Sequence, residues 1–346
     1  MNKNPINRFE KYLTIIVLVC MGIGVFVGRF LPIIPETLSR FEIGKVNLPI
    51  ALLIWFMIYP MMLKIDFTSV KDVSKNPKGL YLTWVVNWLI KPFTMFLIAF
   101  LFFTYIYRLW IPSELAKDYL AGAVILGAAP CTAMVFVWSS LTKGNPAYTL
   151  VQVATNDLII LVLFVPIVGL LLGIGGFSVP WLTLILSVVL FVVVPLVFAS
   201  FTRQVLIKKK GLNYFNDVFI KKFSKLTMVG LMLTLVFIFS LQSELIIKNP
   251  LHILLISIPL MIQTFFIFFI SFYSAKKMKL PFDVAAPAGM IGASNFFELS
   301  VAVAIALFPL NPGVALATIV GVLVEVPVML ILVKIANSKQ SQFESI

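Results

Sequence analysis

The sequence predicts an all-α polytopic membrane protein: ten transmembrane helices in two inverted five-helix repeats, with broken fourth and ninth helices that cross near the midplane. The composition is the first observation behind this prediction. Of the 346 residues, 61% are hydrophobic and 12% are charged, and the mean hydropathy is +1.06. Soluble domains are about 45–50% apolar and about 25% charged. The second observation is that the apolar residues form long stretches, two of which are interrupted at corresponding places.

Ten stretches are long enough to cross a bilayer, because a helix needs about 20 apolar residues to span a hydrocarbon core of ~30 Å. They cover residues 11–30, 46–64, 79–106, 119–142, 146–173, 181–202, 221–243, 251–274, 284–308 and 312–336. The first has no small-residue cleavage site, so we expect a retained span rather than a signal peptide. The first repeat then covers 1–173, the second, inverted repeat covers 181–336, and 337–346 form a short cytoplasmic tail.

The charge distribution predicts the orientation of the chain. A net charge of +13 is compatible with nucleic-acid binding, but the basic residues lie in short loops between apolar stretches, so no nucleic acid is expected. With a cytoplasmic N-terminus, 20 of the 27 Lys and Arg residues lie in inside segments and six in outside loops. This bias is typical of a plasma or inner membrane protein, here with both termini in the cytoplasm. The basic run at 208–225 is predicted to be a cytoplasmic loop that contacts anionic membrane lipid.

Two stretches contain helix-breaking segments that match each other. GAAPCTA starts at Gly127 in the fourth stretch, and an Asn-Pro pair follows 18 positions later; GASNFFE starts at Gly292 in the ninth, and an Asn-Pro pair follows 19 positions later. Each break falls in the fourth span of a five-span half, and an odd number of spans inverts the second half. Such inverted repeats, with a binding site near the midplane where broken helices meet, are typical of secondary transporters. Chance similarity between small-residue packing faces is the alternative.

The cysteine of the first break is the main candidate for chemistry. Irregular backbone inside a membrane persists only where protein or a water-filled cavity satisfies it, so this break should line a cavity. Pro130 suits the first position of a new half-helix, which would place Cys131 in its first turn, where the helix dipole favours a reactive thiolate. Cys20 lies in an uninterrupted helix and is interpreted as a packing residue. No disulfide is expected.

Ionisable residues within membrane spans are costly and are often functional. Glu298, just after the second break, is the first candidate for proton coupling; the alternative is a structural carboxylate paired with Lys91. The Lys91 ammonium has three alternatives, an ion pair with Asp157, an ion pair with Glu298, or contact with exposed carbonyl groups. Glu325 is interpreted as a structural residue that faces the protein interior and can belong to an ion pair, and it is also an alternative to Glu298 as carrier of the coupling proton.

The fifth span carries a short polar stripe. Gln152 and Asn156 are four residues apart and share one helix face, and Asp157 follows. This stripe can line a pathway, coordinate a cation or join helices by hydrogen bonds, and the sequence leaves these alternatives open. Asp157 is the second candidate for proton coupling.

Residues 127–161, GAAPCTAMVFVWSSLTKGNPAYTLVQVATNDLIIL, and 292–308, GASNFFELSVAVAIALF, resemble the arsenite efflux permeases of the bile/arsenite/riboflavin transporter superfamily. The NWLIKP element of the third span is similar as well, and the resemblance extends over the whole chain. It implies a secondary transporter that exports trivalent arsenite, and in some members antimonite, by proton antiport and so confers arsenic resistance. It also implies that Cys131 and Glu298 match the residues regarded as essential in that family.

The chemistry of arsenite agrees with this resemblance. Arsenite at neutral pH is mainly uncharged As(OH)3, and its soft arsenic atom prefers a thiolate ligand. One thiol, Cys131, gives a reversible adduct, which suits a site that must both load and empty. Asn156, Gln152, Asn295 and Glu298 are the candidates for hydrogen bonds to the remaining hydroxyl groups.

Other functions are less consistent with the sequence. A sodium-coupled organic-anion symporter on the same scaffold is the alternative, with Asn156, Asp157, Glu298 and Gln152 around a cation. A membrane sensor is disfavoured because only about ten residues follow the last span. An enzyme with Cys131 as nucleophile is disfavoured because no histidine lies near it to act as a base. Neither a phosphate-binding loop nor a His-Glu-x-x-His zinc pattern occurs, so no enzyme activity, cofactor or metal site is expected.

Overall fold

The structure, a computed structural model, describes residues 5–43, 46–63, 77–131, 134–176, 181–241, 243–248 and 250–344. It consists of two compact units. Unit 1 comprises Met1–Leu63 and Val194–Ile253, and unit 2 comprises Lys64–Val193 and Leu254–Ile346. Each unit contains segments from both predicted repeats. The repeat boundaries at 1–173 and 181–336 stay predictions.

The described chain is almost entirely helical. In chain order the helices are α1 (Pro5–Phe30), α2 (Ile33–Ser39), α3 (Leu48–Met62), α4 (Lys78–Ile106), α5 (Ser113–Gly127), α6 (Val135–Leu141), α7 (Pro146–Ile174), α8 (Trp181–Val188), α9 (Val194–Tyr214), α10 (Ile220–Leu241), α11 (Ser243–Lys248), α12 (Pro250–Lys277), α13 (Phe282–Ala293), α14 (Phe297–Leu307), α15 (Pro312–Ser338) and α16 (Ser341–Glu344). The π-helical turns are Val86–Ile90, Leu101–Ile106, Val189–Val193 and Phe215–Phe219, and strands β1 (Glu42–Ile43) and β2 (Val46–Asn47) pair antiparallel.

The basic run at 208–225, in unit 1, is largely helical, whereas its predicted cytoplasmic position and its contact with anionic lipid stay predictions. Helix α9 covers its start and α10 its end, a π-helical turn joins them, and Gly211, with a φ of 82°, introduces one kink. Phe215 is fully buried, and the guanidinium carbon of Arg203 lies 5.2 Å from the centroid of its ring. Apolar burial therefore accompanies helical structure in a segment whose charges suggested solvent. In the same unit, α1 packs along α10 and buries Cys20.

Unit 2 is organised around α15. In the most apolar 18-residue stretch of α15, 78% of the residues are buried, whereas in the corresponding stretch of α4 only 28% are buried. Helix α15 is therefore a central helix of this unit and α4 an outer one. Helix α5 contacts α15, α4 and α14. A Cβ atom on Gly122 would lie 2.3 Å from the carbonyl oxygen of Val314. Glycine is therefore required where α5 approaches α15.

The chain is a multi-pass membrane protein. Five of the described helices are long and apolar enough to cross a membrane: Lys78–Ile106, Pro146–Ile174, Trp181–Phe219, Pro250–Lys277 and Pro312–Ser338. Helices also occupy the other five predicted spans, and at the fourth and ninth each span consists of two shorter helices. The helical membrane class is confirmed, whereas the count of ten crossings and the inverted repeat stay predictions.

Candidate functional site

The first break, in unit 2, separates α5 from α6. Helix α5 ends at Gly127 and α6 begins at Val135. Residues 128–131 are not helical, and 132–133 are outside the described residues. A Cβ atom on Gly127 would lie 2.5 Å from Met95 Cγ, so the end of α5 packs tightly against α4.

The second break separates α13 from α14. Helix α13 ends at Ala293, one residue beyond Gly292, and α14 begins at Phe297. Ser294 has φ −83° and ψ 146°, which is extended backbone that ends the helix.

The two breaks cross each other in an antiparallel β-bridge. The N–H of Cys131 donates to the carbonyl oxygen of Ser294 at 3.3 Å, and the N–H of Phe296 donates to the carbonyl oxygen of Ala129 at 2.9 Å. In both hydrogen bonds the donor stands four residues after the glycine of its own motif. The acceptor stands two residues after the glycine of the other motif. The crossing thus satisfies backbone groups that a broken helix would otherwise leave unpaired inside the membrane.

A second reciprocal pair of contacts flanks the crossing. The backbone N–H of Asn145, which precedes α7, donates to the carbonyl oxygen of Asp283 at 2.7 Å. The Nδ2 atom of Asn311, which precedes α15, donates to Asp118 Oδ1 at 2.9 Å. Each aspartate stands nine residues before the glycine of its own motif. Corresponding positions in the two sequence halves therefore meet each other.

The prediction that Pro130 begins a half-helix, with Cys131 in its first turn, is wrong. Pro130 lies opposite Asn295 in the bridge, and the described start of α6 is Val135. The bridge to the other break requires extended backbone at Pro130, and extended backbone is incompatible with the first turn of a helix. A helix N-terminus therefore does not account for the chemistry of the Cys131 thiol.

A buried lysine and a buried glutamate contact the same residue of the second break. Lys91 Nζ donates to the carbonyl oxygen of Ser294 at 2.5 Å. The carboxylate of Glu325, on α15, accepts from Ser294 Oγ and from the N–H of Asn295, the latter at 3.3 Å. Lys91 is 1% exposed and Glu325 5%. Of the alternatives for the lysine ammonium, contact with an exposed carbonyl group is the one that the structure describes.

The crossing brings two of the predicted substrate ligands together. Cys131 and Asn295 are both buried there, and neither cysteine of the chain forms a disulfide within the described residues. Asn295 Oδ1 has no hydrogen-bond partner among the described residues. Glu298 belongs to the first turn of α14 by its backbone, and its side chain lies outside the described part of the chain.

The polar stripe of α7 joins this helix to α4. Gln152 Nε2 donates to Tyr148 Oη at 3.1 Å and to a backbone carbonyl of α4 at 3.2 Å. Trp88 Nε1 donates to Asn156 Oδ1 at 3.3 Å. These bonds join helices, yet Gln152 Oε1, Asn156 Nδ2 and Asp157 Oδ1 are buried with no hydrogen-bond partner in the described chain. The stripe therefore combines a structural role with buried polar atoms that have no hydrogen-bond partner in the described chain.

Three polar residues at this site were not singled out by the sequence analysis. Ser294, which is part of the GASNFFE motif, contacts both Lys91 and Glu325. Gln263 Nε2 donates to the backbone carbonyl of Lys91 at 3.0 Å and to Thr94 Oγ1 at 2.9 Å. Asn87, inside NWLIKP, is fully buried, and neither of its side-chain polar atoms has a partner among the described residues. For Ser294 and Asn87 the position inside a motif was the available signal, whereas Gln263 lies in the eighth span, outside every motif.

The donor set at the crossing suits a thiophilic, hydroxylated solute. Cys131 offers one soft sulfur ligand, and Asn295 offers an amide that can hydrogen-bond a hydroxyl group. The described residues contain no group of three or more His, Cys, Asp or Glu side chains arranged to hold a metal ion. A single thiol with amide neighbours can hold such a solute reversibly.

Comparison with known proteins gives a family and close relatives. The sequence model of the Sodium Bile acid symporter family matches residues 51–249. The chain is 62% identical over 341 residues to the arsenical-resistance protein Acr3 of Alkaliphilus metalliredigens, covering 99% of this chain and 96% of that protein. It is 46% identical to an uncharacterized transporter of Synechocystis sp., covering 96% and 89%, and 30% identical to the arsenical-resistance protein Acr3 of Corynebacterium glutamicum, covering 95% and 88%.

Proposed function

The chain belongs to the sodium bile acid symporter family, whose members are transporters and not enzymes, and from this membership we propose that it exports trivalent arsenite from the cytoplasm in exchange for protons. The resemblance read from the break motifs is confirmed by the same comparison. Two relatives that match almost the whole chain are named arsenical-resistance proteins. The observation that carries the proposal is a buried thiol, Cys131, at the crossing of the two breaks.

The proposed binding step is a ligand exchange at arsenic. The Cys131 thiol replaces one hydroxyl group of As(OH)3, an S–As bond forms, an As–O bond breaks, and the thiol proton leaves with that hydroxyl as water. The step needs no oxidant or reductant and reverses by hydrolysis. Asn295 Oδ1, Gln152 Oε1 and Asn156 Nδ2 are buried polar atoms with no partner in the described chain, and they are the proposed hydrogen-bonding groups for the remaining hydroxyls.

Antimonite is the second proposed cargo. Sb(OH)3 has the same number of hydroxyl groups and a soft centre that also prefers sulfur. We expect antimonite to compete with arsenite for transport, measured as inhibition of arsenite uptake into everted vesicles. Absence of competition would restrict the proposal to arsenite.

Glu298 is the proposed carrier of the coupling proton, with Asp157 as the second candidate. Coupling requires that the proton and arsenite favour different conformations, because a ligand shifts an equilibrium only through different affinities for the two states. Glu298→Gln should therefore abolish the dependence of arsenite transport on a pH gradient. If that dependence persists in the variant, the role passes to Asp157 or Glu325. The Oδ1 atom of Asp157 is buried without a hydrogen-bond partner in the described chain.

The proposed setting is the plasma or inner membrane, with ten crossings, two inverted repeats and both termini in the cytoplasm. The bias of basic residues supports the orientation. The reciprocal contacts at and around the crossing support the repeat, because corresponding positions of the two halves meet. Cysteine-accessibility labelling of single cysteines near residues 3 and 339 in intact cells tests the orientation; labelling of either from outside would contradict it.

Everted membrane vesicles test the transport proposal. Vesicles with an acidic lumen should accumulate arsenite, and collapse of the pH gradient should stop accumulation. Replacement of sodium by choline should leave uptake unchanged. Uptake that depends on sodium and persists without a pH gradient would favour the alternative, a sodium-coupled symporter.

A further inference from the structure

Several buried polar groups meet at Ser294 in unit 2. The carbonyl oxygen of Ser294 accepts from Lys91 Nζ at 2.5 Å and from the N–H of Cys131 at 3.3 Å. Its hydroxyl donates to Glu325, whose carboxylate also accepts from the N–H of Asn295 at 3.3 Å. All five residues are at most 5% exposed. We call this group the Ser294 junction.

The oxygen atoms of this junction are of the kind that binds alkali ions in transporters with broken helices. In such proteins, unwound backbone carbonyls coordinate sodium near the midplane. Here the carbonyl oxygen of Ser294 is already contacted by an ammonium group that is covalently attached to α4. Burial of either ion alone is costly. Because Lys91 and Glu325 contact the same residue, the charge of each offsets that of the other without a bound ion.

A side chain of the neighbouring helix α12 holds the backbone of α4 at Lys91. Its carbonyl oxygen accepts from Gln263 Nε2, on α12, at 3.0 Å, and Gln263 also donates to Thr94 Oγ1 at 2.9 Å. Lys91 directly follows the π-helical turn Val86–Ile90 and precedes Pro92. This local distortion of α4 positions a long, flexible side chain whose amine contacts a specific carbonyl group.

We propose that the Lys91 ammonium is a built-in cation of the Ser294 junction, bound to the carbonyl oxygen in place of an alkali ion, so that this unit needs no sodium. The inference distinguishes the chain from what the name of its family suggests, and it makes Lys91 a residue that determines ion use. It concerns the ion and not the cargo. Its test therefore uses no arsenite, so the inference can fail while the assignment of arsenite as cargo stands. A wild-type Tm that rises in sodium would, however, also count against proton exchange without sodium.

Thermal unfolding of the purified full-length protein in detergent tests this inference. Measurements are made in sodium chloride and in choline chloride at equal ionic strength. The Tm of the wild type should be the same in both salts. Lys91→Ala removes the ammonium and leaves space, so its Tm in choline should fall by about 5 °C or more. Sodium or propylammonium chloride should raise that Tm toward the wild-type value.

The matched control is Lys78→Ala, because Lys78 is an exposed lysine at the start of the same helix. Its Tm should not depend on the cation. Three results would overturn the inference: a wild-type Tm that rises in sodium, a Lys91→Ala variant as stable as wild type in choline, or a loss of stability that neither cation reverses.

Two further variants decide the question if Lys91→Ala does not yield folded protein. Lys91→Arg retains a positive charge and should have a Tm close to that of the wild type in choline. Lys91→Met retains the bulk but not the charge and should have a clearly lower Tm. Equal Tm values for Lys91→Arg and Lys91→Met would show that charge is not what matters at this position.

Discussion

The break after Gly127 and the break after Gly292 have the same backbone pairing but different side chains. In each break, the residue four positions after the glycine donates its N–H to the other break, and the residue two positions after the glycine accepts at its carbonyl oxygen. In the second break, the accepting residue also contacts a buried lysine and a buried glutamate. In the first, the accepting residue is Ala129 and the donating residue carries a thiol.

This difference separates the architecture of the crossing from its chemistry. The backbone pairing depends on two helices that end at matching positions. Both breaks make the same backbone contacts although their side chains differ. The charged groups of the second break are held by the protein itself. The thiol of the first break is the group that we assign to the cargo. We therefore expect substitutions in the second break to affect stability most, and substitution of Cys131 to affect transport most.

The largest effect on stability is expected for Lys91→Met. Lys91 and Glu325 are linked through Ser294. Removal of one member of a direct buried ion pair typically costs about 3–5 kcal/mol, because the other charge remains buried and uncompensated. The free energy of unfolding, measured with a chemical denaturant in detergent, should fall by an amount that approaches this range. The double variant Lys91→Met/Glu325→Gln should recover most of the loss, whereas additive losses would show that the two groups do not compensate each other.

An intermediate effect is expected for Ser294→Ala. The substitution removes the hydroxyl that donates to Glu325, and a buried acceptor that loses a donor costs about 1–3 kcal/mol. Ser338→Ala is the control, because among the described residues the hydroxyl of Ser338 donates only to a local backbone carbonyl near the end of α15. Equal and small losses of unfolding free energy in both variants would contradict the role given to Ser294.

The smallest effect is expected for Pro130→Ala. The pairing of the first break uses the carbonyl group of Ala129 and the N–H of Cys131, and the nitrogen of Pro130 takes no part in it. The free energy of unfolding should therefore change by about 1 kcal/mol or less. A loss as large as that of Lys91→Met would show that the proline itself holds the crossing.

Much of the crossing was predictable from residue types and spacing. The Gly-Ala-Ala-Pro and Gly-Ala-Ser-Asn segments predicted two breaks, and helices α5 and α13 end at those segments. Similar distances from each glycine to an Asn-Pro pair predicted that the breaks correspond, and the reciprocal contacts agree. The helical membrane class followed from composition alone. These features depend on local backbone preferences and on the apolar pattern, which a sequence displays directly.

The contacts that depend on the packed interior were not predictable in the same way. The start of α6 was wrong because Pro130 favours a helix start locally, whereas the backbone of the break pairs across the crossing. The partner of Lys91 was left open because a long side chain can reach several groups, and only the packed helices select the carbonyl of Ser294. The helical structure of the basic run at 208–225 was not predicted because its charges concealed the burial of Phe215.

Arsenite accumulation by everted vesicles that contain Cys131→Ser, with Cys20→Ser as the matched control, tests the central claim most directly. Both variants replace a buried cysteine, but only Cys131 lies at the crossing. With equal amounts of folded protein and an acidic lumen, Cys20→Ser should accumulate arsenite like the wild type, and Cys131→Ser should show only background uptake. Accumulation at the wild-type rate by Cys131→Ser would contradict the assignment of the thiol at the crossing as the arsenite ligand.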